Sequence, residues 1–291
     1  MEAWLASEPQ AAASSGNELK TRALSALVLA PVALFAGILG GLPFAMMVAV
    51  VAAISFWEWT GIAAVHQRWL RIGGAVLLAL ALPALAFDRT GSALGLIGVA
   101  GLMMLAGGLR QTSLRWAGIG LIYAAAPCAA LVLLREAEPN GWAAILFLLV
   151  VVWATDTAAY FGGRRIGGPK LWPRVSPKKT WSGALTGMAA AMFAGGLVAA
   201  LTGAGTVAMA ILLAAPLSAA SQAGDLFESA IKRRFGVKDS GRLIPGHGGL
   251  LDRVDGLFGA AALAWLLAAL GWGGQLLSLP QDVAALPGGA S

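Results

Sequence analysis

The chain has 291 residues, of which 58% are hydrophobic and only 12% charged, with a formal net charge of +6. Soluble domains of ordinary composition carry about 25% charged residues, so a soluble globular class is excluded; no alternating pattern suggests a membrane barrel. The cations fall in short loops between apolar runs, where membrane topology accounts for many of them, so the positive balance does not point to nucleic acid.

In chain order, residues 1–22 form an Ala- and Ser-rich tail ending in Lys20 and Arg22. An apolar run over 23–42 follows, too long for a signal-peptide core and without a small-residue cleavage site, and is expected to be the first span. Further runs near the roughly 20 residues that cross a bilayer lie at 44–65, 72–88, 92–109, 117–134, 142–163, 183–203, 206–227 and 256–277. The expected fold is therefore all-α and polytopic, with about nine transmembrane helices, since helices satisfy their own backbone in lipid. Pro83 interrupts the third run and glycines thin the fourth. Residues 23–140 form an N-terminal helical half, 141–278 a C-terminal catalytic half, and 279–291 a tail. GxxxG spacings at Gly37–Gly41 and Gly91–Gly95 permit close helix approach, but among 39 glycines such spacing arises easily by chance. Cys128, the single cysteine, lies in an apolar run and has no internal disulfide partner; a small buried residue is its expected role.

Loop charge orders these spans. Arg68 and Arg71 follow the second, Arg110 and Arg115 the fourth, a cluster from Arg164 to Lys179 the sixth, and the segment 229–255 the eighth. With Lys20 and Arg22, 18 of the 20 Lys and Arg residues then fall on one side, leaving Arg89 and Arg135 opposite. The positive-inside rule makes that side the cytoplasm, with the polar cavity expected to face it and the C-terminus outside; a bacterial inner membrane is the expected location.

The informative polar residues gather near two of these loops. Glu58, between Trp57 and Trp59 in the second run, suits either an interfacial anchor or a cavity acid. Asp156 and Tyr160 are four apart and share a helix face, with Arg164 one turn further. The bland account makes the arginines snorkelling side chains and Ser182 the N-cap of span seven. It does not suit Asp156, a carboxylate inside an apolar run. Ser176-Pro-Lys178-Lys179-Thr offers ammonium and hydroxyl groups on a backbone stiffened by proline, which suits a polyphosphate. On the eighth run, Asp225, Ser229 and Lys232 fall at i, i+4 and i+7, one stripe, expected to wall a polar cavity. Arg233, Lys238, Asp239 and His247 follow. Gly248 and Gly249 let backbone amides approach phosphate. Asp252 and Asp255 flank Arg253 at the mouth of the last span, on one helix face. Carboxylates from two helices are what Mg²⁺ selects, so Asp225, Asp252 and Asp255 are the candidate metal ligands; a second, monovalent cation stays open. Glu228 and Asp239 have salt bridging as a competing role, and His247 a turn.

The order S-x-I-K-R-x4-K-D…H-G-G-x-x-D-R-x-D, from Ser229 to Asp255, resembles the signature of the phosphatidate cytidylyltransferases, the CDP-diacylglycerol synthases. The D-x-x-A-Y-x-x-G-R run at 156–164 and S-P-K-K-T-W at 176–181 are also similar to that family, whereas the first half agrees only in hydropathy. Ser182 departs, standing where the family usually has Glu. The resemblance implies that CTP and phosphatidate react to CDP-diacylglycerol and pyrophosphate at the membrane surface. It implies catalytic roles for Lys232, Arg233, Lys238, Asp239, His247 and Arg253. Substrate binding would fall to Asp156, Tyr160, Arg164, Ser176, Lys178, Lys179, Ser229, Gly248 and Gly249. The implied partners are CTP, phosphatidate and membrane lipid, with a homodimer left open. Two other classes compete: a CTP-dependent polyprenol or dolichol kinase sharing these loops, and an ion-coupled transporter using the intramembrane acids.

Overall fold

The computed structural model describes residues 30–87, 90–241, 243 and 248–277. His247, Lys20, Arg22 and both expected tails lie outside them. The described chain is almost entirely helical: α1 (Ala30–Leu39), α2 (Gly41–Ile62), α3 (Arg68–Ala84), α4 (Thr90–Gly107), α5 (Thr112–Glu136), α6 (Gly141–Ile166), α7 (Trp181–Thr202), α8 (Val207–Arg234) and α9 (Leu251–Ala269). Among the described residues, seven helices are long and apolar enough to cross a bilayer: α2, α3 with its 3₁₀ extension to Phe87, and α4 to α8. The described part of α1 is too short to add to that number, and α9 opens on Asp252, Arg253 and Asp255.

The borders differ from the hydropathy reading where chemistry begins. α8 runs seven residues past the expected end of its span, so Glu228, Ser229, Lys232 and Arg233 are helical. α9 starts five residues early, which places Asp252 and Asp255 in its first turns. One element departs from the all-α expectation. Lys170–Trp172 (β1) and Ser176–Thr180 (β2) pair antiparallel, with Lys170 opposite Thr180 and Trp172 opposite Ser176. Their connection is a tight turn in which Val175 N–H donates to the Trp172 carbonyl, with Pro173 at the second turn position, a site its fixed φ favours.

α5 is the most buried of the candidate spans and touches α2, α3, α4, α6 and α9. The four C-terminal helices pack as a run of neighbours, α6 on α7, α7 on α8 and α8 on α9. Glycine makes two of these contacts close. A Cβ at Gly183 or Gly187 would meet the carbonyl oxygens of Ala159 or Thr155 on α6 at 2.7 and 2.8 Å. A Cβ at Gly224 on α8 would meet the Asp255 carbonyl oxygen at 2.4 Å, and one at Gly259 the Ala220 carbonyl oxygen at 2.2 Å. By contrast Gly91 and Gly95 face open space, so that GxxxG pair makes no helix contact among the described residues.

The cation-rich loops gather at one end. Gln67 donates to Ser113 across two of them at 2.9 Å, and Phe235 packs edge-on against Trp116 at 4.9 Å. At the opposite end Asn140 donates to the Gln275 carbonyl at 3.0 Å, and Gly205 lies against Leu276.

Candidate active site

A cavity of about 460 Å³ opens between α6, the hairpin, α7 and α8. Of the sequence-selected residues it gathers Asp156, Tyr160 and Arg164 from α6, Lys178 and Lys179 from β2, and Asp225 from α8. The geometry follows from the local fold. Thr180 caps α7, its Oγ1 accepting from the Gly183 N–H at 3.1 Å, which turns the hairpin back over α6. Thr180, and not Ser182, is thus the cap. Ser182 Oγ instead donates to the Gly167 carbonyl at the end of α6, tying the hairpin base to that helix. Sequence reasoning passed over two further cavity residues, Lys170 and Gln222. Gln222 lies one turn before Asp225 on the same helix stripe, so the spacing that selected Ser229 would have found it.

Within the cavity Lys179 Nζ is 2.6 Å from Asp225 Oδ2. Of the expected α8 stripe only Asp225 lines the cavity, while Ser229, one turn on and outside the lining, donates from Oγ to Asp225 Oδ1 at 3.3 Å. Arg164 donates to Tyr160 Oη at 3.1 Å. Asp225 stands close enough to Asp156 and Asp255 for their charges to repel, while Lys179 and Arg253 offset Asp156. The site is a group of acids faced by cations, able to receive a phosphate chain and a cation together. Ser176 lies outside this lining, at the far end of β2 opposite Trp172.

A second network lies deeper. Lys232 Nζ is 2.5 Å from both Glu228 Oε2 and Asp252 Oδ1, and its side chain is only 11% exposed. The contact to Glu228 is ionic rather than well aligned, for neither Glu228 oxygen has a hydrogen-bond donor in good geometry. Asp252 Oδ2 accepts from the N–H groups of Ser240 and Gly249, both at 2.9 Å, and lies 3.0 Å from Ser240 Oγ, whose one proton it shares with Glu58. Asp252 is therefore saturated by donors, whereas Asp255 accepts from the Gly256 N–H at 2.7 Å beside the charges of Asp225 and Glu228. Among the described residues no three His, Cys, Asp or Glu side chains gather closely enough to hold one ion. The expected trio is thus divided: Asp255 stands within reach of the charge of Asp225, and Asp252 turns to Lys232. The reason is the early start of α9, which aims Asp252 at the loop.

The remaining sequence-selected residues surround this core. Arg233 is exposed and its guanidinium lies 3.4 Å from the Val237 carbonyl; Lys238 and Asp239 are exposed in the loop. Gly248 has φ +82° and lies over Asp252 Oδ2, which a Cβ would meet at 2.9 Å. Gly249 uses its amide on Asp252, so the described backbone offers that amide to a carboxylate.

Comparison with known proteins agrees with the resemblance found in the sequence and carries it into the first half of the chain, where the sequence reading had agreement in hydropathy only. The model of a family described as the cytidylyltransferase family matches residues 20–270. A phosphatidate cytidylyltransferase of Brucella suis is 47% identical over 265 residues, 87% of this chain and 94% of that protein. One of Pseudomonas aeruginosa is 37% identical over 277 residues, 88% of this chain and 99% of that protein. One of Bacillus subtilis is 41% identical over 147 residues, 47% of this chain and 51% of that protein.

Proposed function

The chain belongs to the cytidylyltransferase family, and on that premise we propose that its cavity transfers CMP from CTP to phosphatidate, releasing pyrophosphate. An oxygen of the lipid phosphate attacks the α-phosphorus of CTP. The new P–O bond forms as the bond to the β-phosphate oxygen breaks, and pyrophosphate leaves with the electron pair. No protein nucleophile is needed; positioning and cations carry the catalysis. The observation that carries the proposal is the cavity that Arg164, Lys170, Lys178 and Lys179 line together with Asp156 and Asp225.

Each group has a task. Lys178 and Lys179 hold the phosphate chain of CTP, and Lys179 is poised to exchange Asp225 for phosphate. Arg164, oriented by Tyr160, and Arg253 on the first turn of α9 neutralise the second phosphate. Gln222 supplies a neutral donor and acceptor on the cavity wall. A divalent cation such as Mg²⁺ fits this donor set: Asp225 and Asp255 are hard oxygen ligands with mutual repulsion to relieve, whereas Asp252 is already saturated. When bound, such an ion would withdraw charge from the phosphates as pyrophosphate leaves.

The membrane setting follows from the same arrangement. Seven long apolar helices among the described residues support a polytopic protein; the finer proposal is nine spans with the cation-rich end in the cytoplasm, where CTP is present. The diacylglycerol tails then stay in hydrocarbon while the headgroup meets the cavity. The test is direct: purified protein in phosphatidate-containing micelles with α-labelled CTP should yield labelled CDP-diacylglycerol. Transfer of γ-label to a polyprenol, with no labelled CDP-diacylglycerol, would replace this reading by the lipid-kinase one.

A further inference from the structure

Glu58 is in neither expected place: it is no interfacial anchor and it does not line the cavity. It is 6% exposed, and its carboxylate reaches nearly 200 residues along the chain. Oε1 accepts from the Leu250 N–H at 3.0 Å and Oε2 from the Leu251 N–H at 2.8 Å. Ser240 Oγ donates to Oε2 at 3.0 Å and equally approaches Asp252 Oδ2 at 3.0 Å. A helix start leaves its first N–H groups without intrahelical partners and carries partial positive charge; here a buried carboxylate from another helix satisfies them. The residue at the usual capping position, Leu250, has no side chain able to do so.

The surrounding backbone is shaped to this carboxylate. A Cβ at Gly241 would meet Glu58 Oε1 at 2.5 Å; one at Gly249 would meet Ser240 Oγ at 2.0 Å and Glu58 Oε2 at 2.5 Å. Glu58 is itself held firmly, because the adjoining Trp59 is fully buried, donates to the Trp116 carbonyl at 2.9 Å and packs on Tyr123 and Phe227.

We infer that Glu58 is a positioning residue for catalysis: from α2 it fixes the first turn of α9, and with it the placement of Asp255 near Asp225 and of Arg253 near Asp156, two acids that line the cavity. The contact joins the half of the chain that carries no cavity residue to the half that carries all of them. The inference rests on the cytidylyl-transfer reading for its kinetic consequence, though not for the contact itself.

The experiment compares wild type, Glu58→Gln, Glu58→Asp, Ser240→Ala and the Glu58→Gln/Ser240→Ala double variant in nanodiscs. Read-outs are kcat, both KM values, thermal midpoint and hydrogen exchange in peptides covering 248–252. A displacement of about 1 Å can cost on the order of 100-fold in rate. Glu58→Gln, with one acceptor oxygen for three donors, should lower kcat by about 10- to 100-fold while both KM values stay within about threefold. Its 248–252 amides should exchange faster while those of α6 and α7 do not. Glu58→Asp, which keeps the charge, should recover part of kcat. Ser240→Ala should give a smaller kcat loss, and the double variant should be no worse than Glu58→Gln. Normal kcat in folded Glu58→Gln, or a loss confined to the thermal midpoint, would overturn the inference. If Glu58→Gln does not fold, wild-type kcat and exchange in Ser240→Ala would overturn it. If wild type makes no CDP-diacylglycerol, the reaction assignment fails instead, and the exchange data still decide the contact.

Discussion

Lys232 provides the sharpest test of how this site is built, because the family resemblance implies a catalytic role for it while its contacts are to two buried carboxylates, Glu228 and Asp252. Replacing it with Met removes the ammonium and leaves Glu228 and Asp252 facing each other. Both oxygens lie 2.5 Å from Nζ, so they are at most about 5 Å apart. With an effective dielectric of about 20, two such charges repel by roughly 3 kcal/mol. That agrees with the 3–5 kcal/mol typical of breaking one side of a buried pair, and predicts a fall in thermal midpoint on the order of 10 °C. Turnover should collapse with it. The Glu228→Gln/Lys232→Met pair removes the repulsion, since Asp252 keeps its bonds from Ser240 and Gly249. It should regain most of the lost midpoint and return kcat to within about tenfold of wild type. Thermal unfolding in detergent and labelled-CTP turnover measure the two effects separately. A double variant that is stable yet inactive would refute the reasoning and make Lys232 a direct substrate ligand.

Three further outcomes are expected. Lys178→Ala or Lys179→Ala should raise the CTP requirement by about 10- to 100-fold, each removing a charge-assisted phosphate contact of roughly 1.5–3 kcal/mol; unchanged CTP kinetics in both variants would free these lysines for a topological role alone. EDTA should abolish turnover and Mg²⁺ restore it, Asp225→Asn and Asp255→Asn should each lose most of kcat at near-normal stability, and Asp252→Asn should lose stability first; full turnover in EDTA would remove the metal. Reporter fusions after Gly205 and at Ser291 should report the outer face, and those after Arg174 and Val237 the cytoplasm, so a cytoplasmic C-terminus would refute the odd number of spans.

What the sequence made legible, and what it hid, divides along the range of the interactions involved. Apolar runs and loop cations act locally or through the bilayer, so seven of the expected spans, among the described residues, and the gathering of cation-rich loops at one end were readable. The stripe on α8 was readable for a similar reason: Asp225 and Ser229 are one turn apart and their side chains touch. Helix borders failed where a helix leaves the hydrocarbon, because hydropathy falls while the backbone bonds of α8 continue for two more turns. The division of the acidic trio depends on that same border. Asp252 and Asp255, three apart, share a face on any helix, yet only the true start of α9 decides which of them meets the loop. Glu58 could not be assigned from its neighbours at all. Its partners are backbone N–H groups, which carry no residue identity, and the fit is written as two missing side chains, Gly241 and Gly249. A carboxylate in an apolar run announces that something must compensate it; which distant backbone does so becomes visible only when α2 and α9 are seen side by side.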